Sequence, residues 1–76
     1  MQFDSTVIGN VIRTKRIQKG MTQEVLSGFA GIARTHLTMI ENGTKQANFE
    51  TLCRIAFALE LKPSELVAEF EKATMK

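Results

Sequence analysis

The stretch that leaves this chain fewest options is TQEVLSGFAGIARTHLTMIENG, residues 22–43, in which two short helical patterns meet at one glycine. The first opens on Thr22, whose side-chain oxygen can accept from an amide of the first turn. Val25, Leu26, Phe29 and Ala30 follow at helical spacing. Gly31 then breaks the pattern with the one residue type that takes a positive φ freely, so the chain turns sharply there. The second pattern carries Leu37 and Ile40 inward and stops at Asn42-Gly43, a helix-ending signal. Two such short helices joined through one glycine cannot lie antiparallel and must cross at a large angle. Leu26, Ala30, Ile32, Leu37 and Ile40 form the inner seam, with small Ser27 where the two helices pass closest. Arg34, Thr35 and Thr38 face outward near the start of the second helix.

That crossing is the helix-turn-helix arrangement, whose second helix can enter the major groove of DNA. From residue 8 to about residue 67 the sequence resembles the lambda-repressor-like, Xre-type helix-turn-helix family. The resemblance is carried by KRIQKG (15–20), TQEVL (22–26), IENG (40–43) and LCRIAFALEL (52–61). It implies an all-α, five-helix DNA-binding domain with helices 2 and 3 as the helix-turn-helix and a recognition helix over about 33–41. It also implies an ion pair between Arg16 and Glu41, locking helix 1 to the end of the recognition helix. Two positions depart from the family pattern: Ser27 stands where Ala is usual, and Ala33 where Ser or Thr is usual. Without a capping oxygen at Ala33, the first turn of the recognition helix loses about 0.5–2 kcal/mol.

Within this frame the polar residues take roles. Thr22 and Gln23 open a helix, where amides and side chain can meet a phosphate, and Lys45 and Gln46 reach from the following loop. Arg34 can chelate O6 and N7 of guanine; Thr35 can offer a hydroxyl, or a methyl to thymine. His36 and Thr38 complete the expected base-contacting set. Charge supports a nucleic-acid partner by its distribution rather than by the net +2. Residues 1–48 hold six Lys/Arg against three Asp/Glu, whereas residues 49–76 hold four against five.

The 76 residues suit one domain (1–76), near the lower size limit for folding without metal or disulfides. A single cysteine, Cys53, cannot close an intrachain disulfide and suits a reducing cytoplasm, where it is a small packing residue. No apolar run is long enough for a membrane span, so Asn42-Gly43-Thr44 is a helix terminator rather than a glycosylation site. Residues 1–3 make a loose start. Asp4 or Ser5 caps a first helix that runs to about Lys19 and ends at Gly20, with Ile8, Val11, Ile12 and part of Ile17 as its buried stripe. Arg13, Lys15, Arg16 and Lys19 make that helix basic. Asn48 caps a fourth helix over about 49–60. A fifth begins at Pro63, with Glu65 folding back on its free amides, and runs past Phe70 into a lysine-ended tail.

A lone His36 without companions at ligand spacing argues against a metal site. No phosphate-cradling glycine loop or nucleophile motif is present, so neither a cofactor nor an enzymatic activity is expected. The expected function is that of a sequence-specific, double-stranded DNA-binding transcriptional regulator of phage-repressor, restriction–modification-controller or antitoxin type. With no room for an inducer-binding domain, its control would run through its own concentration or a protein partner. On helix 4, Leu52, Ile55, Ala56 and Leu59 share the core stripe, and Phe57 points about 150° away. A large aromatic there predicts a homodimer through Phe57, joined by Leu61, Val67 and Phe70, on a near-palindromic operator. The competing expectation is a protein-interaction or oligomerisation module of the same fold that does not read DNA.

Overall fold

The computed structural model describes residues 4–75 as five helices: α1 (Ser5–Gln18), α2 (Gln23–Ala30), α3 (Arg34–Glu41), α4 (Phe49–Ala58) and α5 (Pro63–Thr74). The loose start expected at residues 1–3 and the terminal Lys76 lie outside the described residues. The helix starts follow local chemistry. Asp4 accepts from the Thr6 amide at 2.9 Å, Thr22 from the Val25 amide at 3.1 Å, and Asn48 from the Thr51 amide at 2.8 Å. Before Pro63, the Lys62 amide donates to the Glu65 carboxylate at 2.9 Å. α3 begins on Ala33 with no side-chain cap.

Gly31 is left-handed (φ 70, ψ 33), and the amide of Ile32 closes back on the Ser27 carbonyl at 3.0 Å, which turns α2 into α3. The fourth helix uses the same closure without a glycine. Glu60 takes φ 61 and the Leu61 amide reaches the Ala56 carbonyl at 2.8 Å. α4 therefore stops at Ala58, two residues short of the expected 60, because that backbone conformation cannot continue a right-handed helix.

α1 packs against α3 and α5, α2 against α3 and α4, and α4 against α5. Their shared core contains Ile8, Ile12, Leu26, Ala30, Leu37, Ile40, Ile55, Ala56, Leu59, Leu66 and Phe70. Ile17 does not join it and is 57% exposed. At about 100° per residue it lies on the opposite side of α1 from Ile8, so it cannot share that stripe. Phe70 is the reverse case: only 6% exposed, it fills the core one turn after Leu66 and offers no surface to a second copy.

One contact fixes how α3 sits. Gly9 lies against the last turn of α3, where a Cβ would run into the Ile40 carbonyl oxygen and stand 2.7 Å from that of Glu41. The two backbones touch because no side chain separates them.

Candidate nucleic-acid interface

The exposed side of α3 is held from behind by a chain of hydrogen bonds through three helices. Arg16 on α1 donates to both oxygens of Glu41, from Nε to Oε2 at 2.7 Å and from Nη2 to Oε1 at 3.1 Å. Its Nη1 donates to the Met21 carbonyl at 2.9 Å, which ties down the loop before α2. The side chains of Arg16 and Glu41 are only 12% and 3% exposed, so the pair is nearly buried. Gln23, the first residue of α2, donates through Nε2 to Glu41 Oε1 at 3.0 Å. The Thr38 hydroxyl then donates to Gln23 Oε1 at 2.9 Å, and also lies 3.0 Å from the Arg34 carbonyl. One buried carboxylate thus joins α1, α2 and α3, and such a pair gives geometric definition more than net stability.

Around α3 the expected base-contacting residues do not all share one side. Arg34 and Thr35 are exposed and Thr38 is half-buried, all on the outer face. His36 is half-buried and sits about 160° around the helix from Thr38, so those two side chains diverge. Met39 shares the outer face and is exposed.

The expected phosphate-contacting residues divide in a similar way. Lys45 and Gln46 are exposed in the loop between α3 and α4. The Thr22 oxygen is already accepting from Val25, and both ends of the Gln23 amide are engaged inside the protein. What α2 leaves for an anion is mainly its first backbone amides, which have no intrahelical acceptor. Arg13, one of the basic residues of α1, lines a hollow of about 260 Å³ with Arg16, Gln23, Thr38, Glu41 and Asn42. Its spacing of three residues before Arg16 places it on the same side of α1, a signal available once Arg16 is located. Gly9 carries no such signal, because nothing local marks a glycine that is needed by a distant helix.

The four residues expected at a dimer contact are not brought together. Phe57 is 65% exposed, but its companion across a shallow groove is Phe29 of α2, 71% exposed, with Gly31 and Arg54 between α2 and α4. Val67 is exposed on α5. Leu61 is half-buried and lines a separate hollow with Lys15, Glu65 and Glu69. Phe70 is in the core. Among the described residues, no group of three His, Cys, Asp or Glu side chains could hold a metal ion. Nor is any of the helices long and apolar enough to cross a membrane.

These features define a helix-turn-helix domain with a polar, exposed second helix. The helix-turn-helix family model matches residues 12–66, and the chain belongs to that family. Among known proteins it is 36% identical over 59 residues to the ImmF control region 10 kDa protein of Bacillus phage phi105, covering 78% of this chain and 66% of that protein. The restriction–modification controller protein C.AhdI of Aeromonas hydrophila superposes with a TM-score of 0.81 at 30% identity, over 83% of this chain and 96% of that one. The controller C.Esp1396I, solved as a tetramer in complex with its natural 35 base-pair operator, superposes with a TM-score of 0.89 at 28% identity over the whole of both chains.

Proposed function

We propose that this protein is a sequence-specific, double-stranded DNA-binding transcriptional regulator that inserts α3 into the major groove and acts as a homodimer in the cytoplasm, as a single domain without catalytic activity. The observation that carries the reading is α3 itself. Its outer face presents Arg34, Thr35 and Thr38, while its inner end is fastened by Glu41 to Arg16 and Gln23. A solvated helix needs no such fastening; a helix that must meet base edges in register does. In this reading the exposed Lys45 and Gln46 of the following loop flank it as backbone contacts, with Arg13 at the rim of the adjoining hollow. The operator-bound relative of the same fold and length supports this reading, as does the phage control-region relative. Two copies joined near Phe57 would set their recognition helices about 34 Å apart, one DNA turn, on a near-palindromic site.

The test is retention of random genomic DNA fragments, sequencing of those bound, and titration of a recovered site in increasing salt. A common motif should emerge, and affinity should fall by about 0.9 log unit per log unit of salt for each neutralised phosphate. Arg34→Ala should weaken the recovered site by about 1–3 kcal/mol and random DNA little. A slope near zero with no common motif would sink the reading in favour of the protein-interaction module.

A further inference from the structure

The hydrogen bonds that hold α3 also have a direction, and that direction ends at the DNA-facing surface. Arg16 has only donors to give, and the Glu41 carboxylate can only accept. Glu41 therefore takes the NH2 end of the Gln23 amide, at 3.0 Å, and the amide has no choice of orientation. Its carbonyl end must point the other way, toward Thr38, where it accepts the hydroxyl at 2.9 Å. Among the described residues, the only other partner within reach of that hydroxyl, the Arg34 carbonyl at 3.0 Å, is an acceptor too. A threonine has one O–H proton, and here both neighbours draw it inward. What Thr38 can show to a groove is the lone pairs of Oγ1 and a methyl group.

We propose that Thr38 reads DNA as an acceptor only, so that the base beneath it is recognised through an exocyclic amine, N6 of adenine or N4 of cytosine, and not through a carbonyl oxygen. Gln23 is then a positioning residue. It sets the polarity of Thr38 through the chain that starts at Arg16, and is not primarily a phosphate contact. This rests on the DNA-reading function proposed above and adds the chemistry of one contact to it.

The experiment uses the full chain and the operator recovered by fragment selection. The base pair concerned is the one whose substitution wild type penalises and Thr38→Val does not. At that pair the amine alone is removed, with purine replacing adenine or pyrimidin-2-one replacing cytosine. In a parallel duplex the carbonyl alone is removed from the opposite base. Loss of the amine should weaken wild type about three- to tenfold, the range of one hydrogen bond, and leave Thr38→Val unaffected. Loss of the carbonyl should cost neither protein anything. Gln23→Met removes one of the two inward acceptors and leaves the hydroxyl only the Arg34 carbonyl, so it should shrink but not abolish the amine discrimination of an otherwise wild-type chain and change nothing in the Thr38→Val background.

A penalty on removing the carbonyl instead of the amine overturns the proposal. So does the absence of any base pair that distinguishes wild type from Thr38→Val. If Gln23→Met leaves the discrimination intact and instead weakens the operator and random DNA alike, Gln23 is a phosphate contact and does not set the polarity of Thr38. Should Gln23→Met fail to fold, the Thr38→Val comparison still decides the polarity. Failure to recover any common operator would count against the DNA-reading function itself, a different outcome from recovering one and finding the wrong polarity.

Discussion

The two ends of α3 are built differently. At its C-terminal end the helix is pinned on several sides: by the Arg16–Glu41 pair, by the backbone contact at Gly9, and by Thr6 of α1, whose Cα stands 2.8 Å from where a Cβ on Gly43 would be. At its N-terminal end it starts on Ala33 without a side-chain cap, followed by exposed Arg34 and Thr35. Arg34 and Thr35, proposed to touch bases, thus sit on the less supported end, and their placement is inherited from the opposite one. A helix of eight residues has little stability of its own, so tertiary fastening at one end must hold the whole element.

The strongest way to break this asymmetry is Arg16→Met. It leaves Glu41 almost buried with Gln23 as its remaining partner among the described residues and unties Met21, and should cost about 3 kcal/mol of unfolding free energy in urea denaturation. Lys15→Met is the control. The Lys15–Glu69 contact at 3.9 Å is partly exposed, so its loss should cost under about 1 kcal/mol. Equal midpoints for the two variants would show that the pinned end is not pinned by this pair.

Gly9→Ala comes next. The added methyl meets two carbonyl oxygens of α3 rather than flexible side chains, and should destabilise by about 1–3 kcal/mol even though alanine favours the α1 helix. A neutral or stabilising result would mean that α1 and α3 can separate freely. At the other end the sign reverses. Ala33 already has the extended conformation of an N-cap (φ −68, ψ 144), so Ala33→Ser should gain about 1 kcal/mol. No gain in thermal midpoint would remove the asymmetry.

The smallest effect is pH-dependent. Hydrogen bonds from the Thr6 hydroxyl and amide hold the Asp4 carboxyl below its usual 3.8. A depressed folded pKa stabilises above the unfolded value and loses that contribution as pH falls through the folded one. The stability difference between wild type and Asp4→Ala should therefore be constant at neutral pH and shrink below about pH 4. A difference that grew on acidification would contradict the assignment.

Much of the fold was legible because its signals are local. Thr22, Gly31, Asn48 and Pro63 each act within a few residues of chain, through one amide, one φ angle or one missing N–H, and sequence order is enough to read them. Helical periodicity located most of the core for the same reason. The same periodicity puts Phe70 inside, since Leu66 and Phe70 are four apart, which corrects its expected place beside Phe57 at a dimer contact. Exposure of Phe57 followed from its angle on α4, but its pairing with Phe29 depended on how α2 and α4 cross.

By itself the sequence determined five helices, their order, the turn at Gly31 and the residue types offered on the outer face of α3. It did not determine which of those polar atoms remain free. That depended on bringing residues 16, 23, 38 and 41 together from three helices, where a single buried carboxylate orients Gln23 and turns the Thr38 proton inward. Only the tertiary structure could decide this, because the polarity of a hydroxyl is set by which acceptors lie within about 3 Å of it, and here one of the two comes from a different helix.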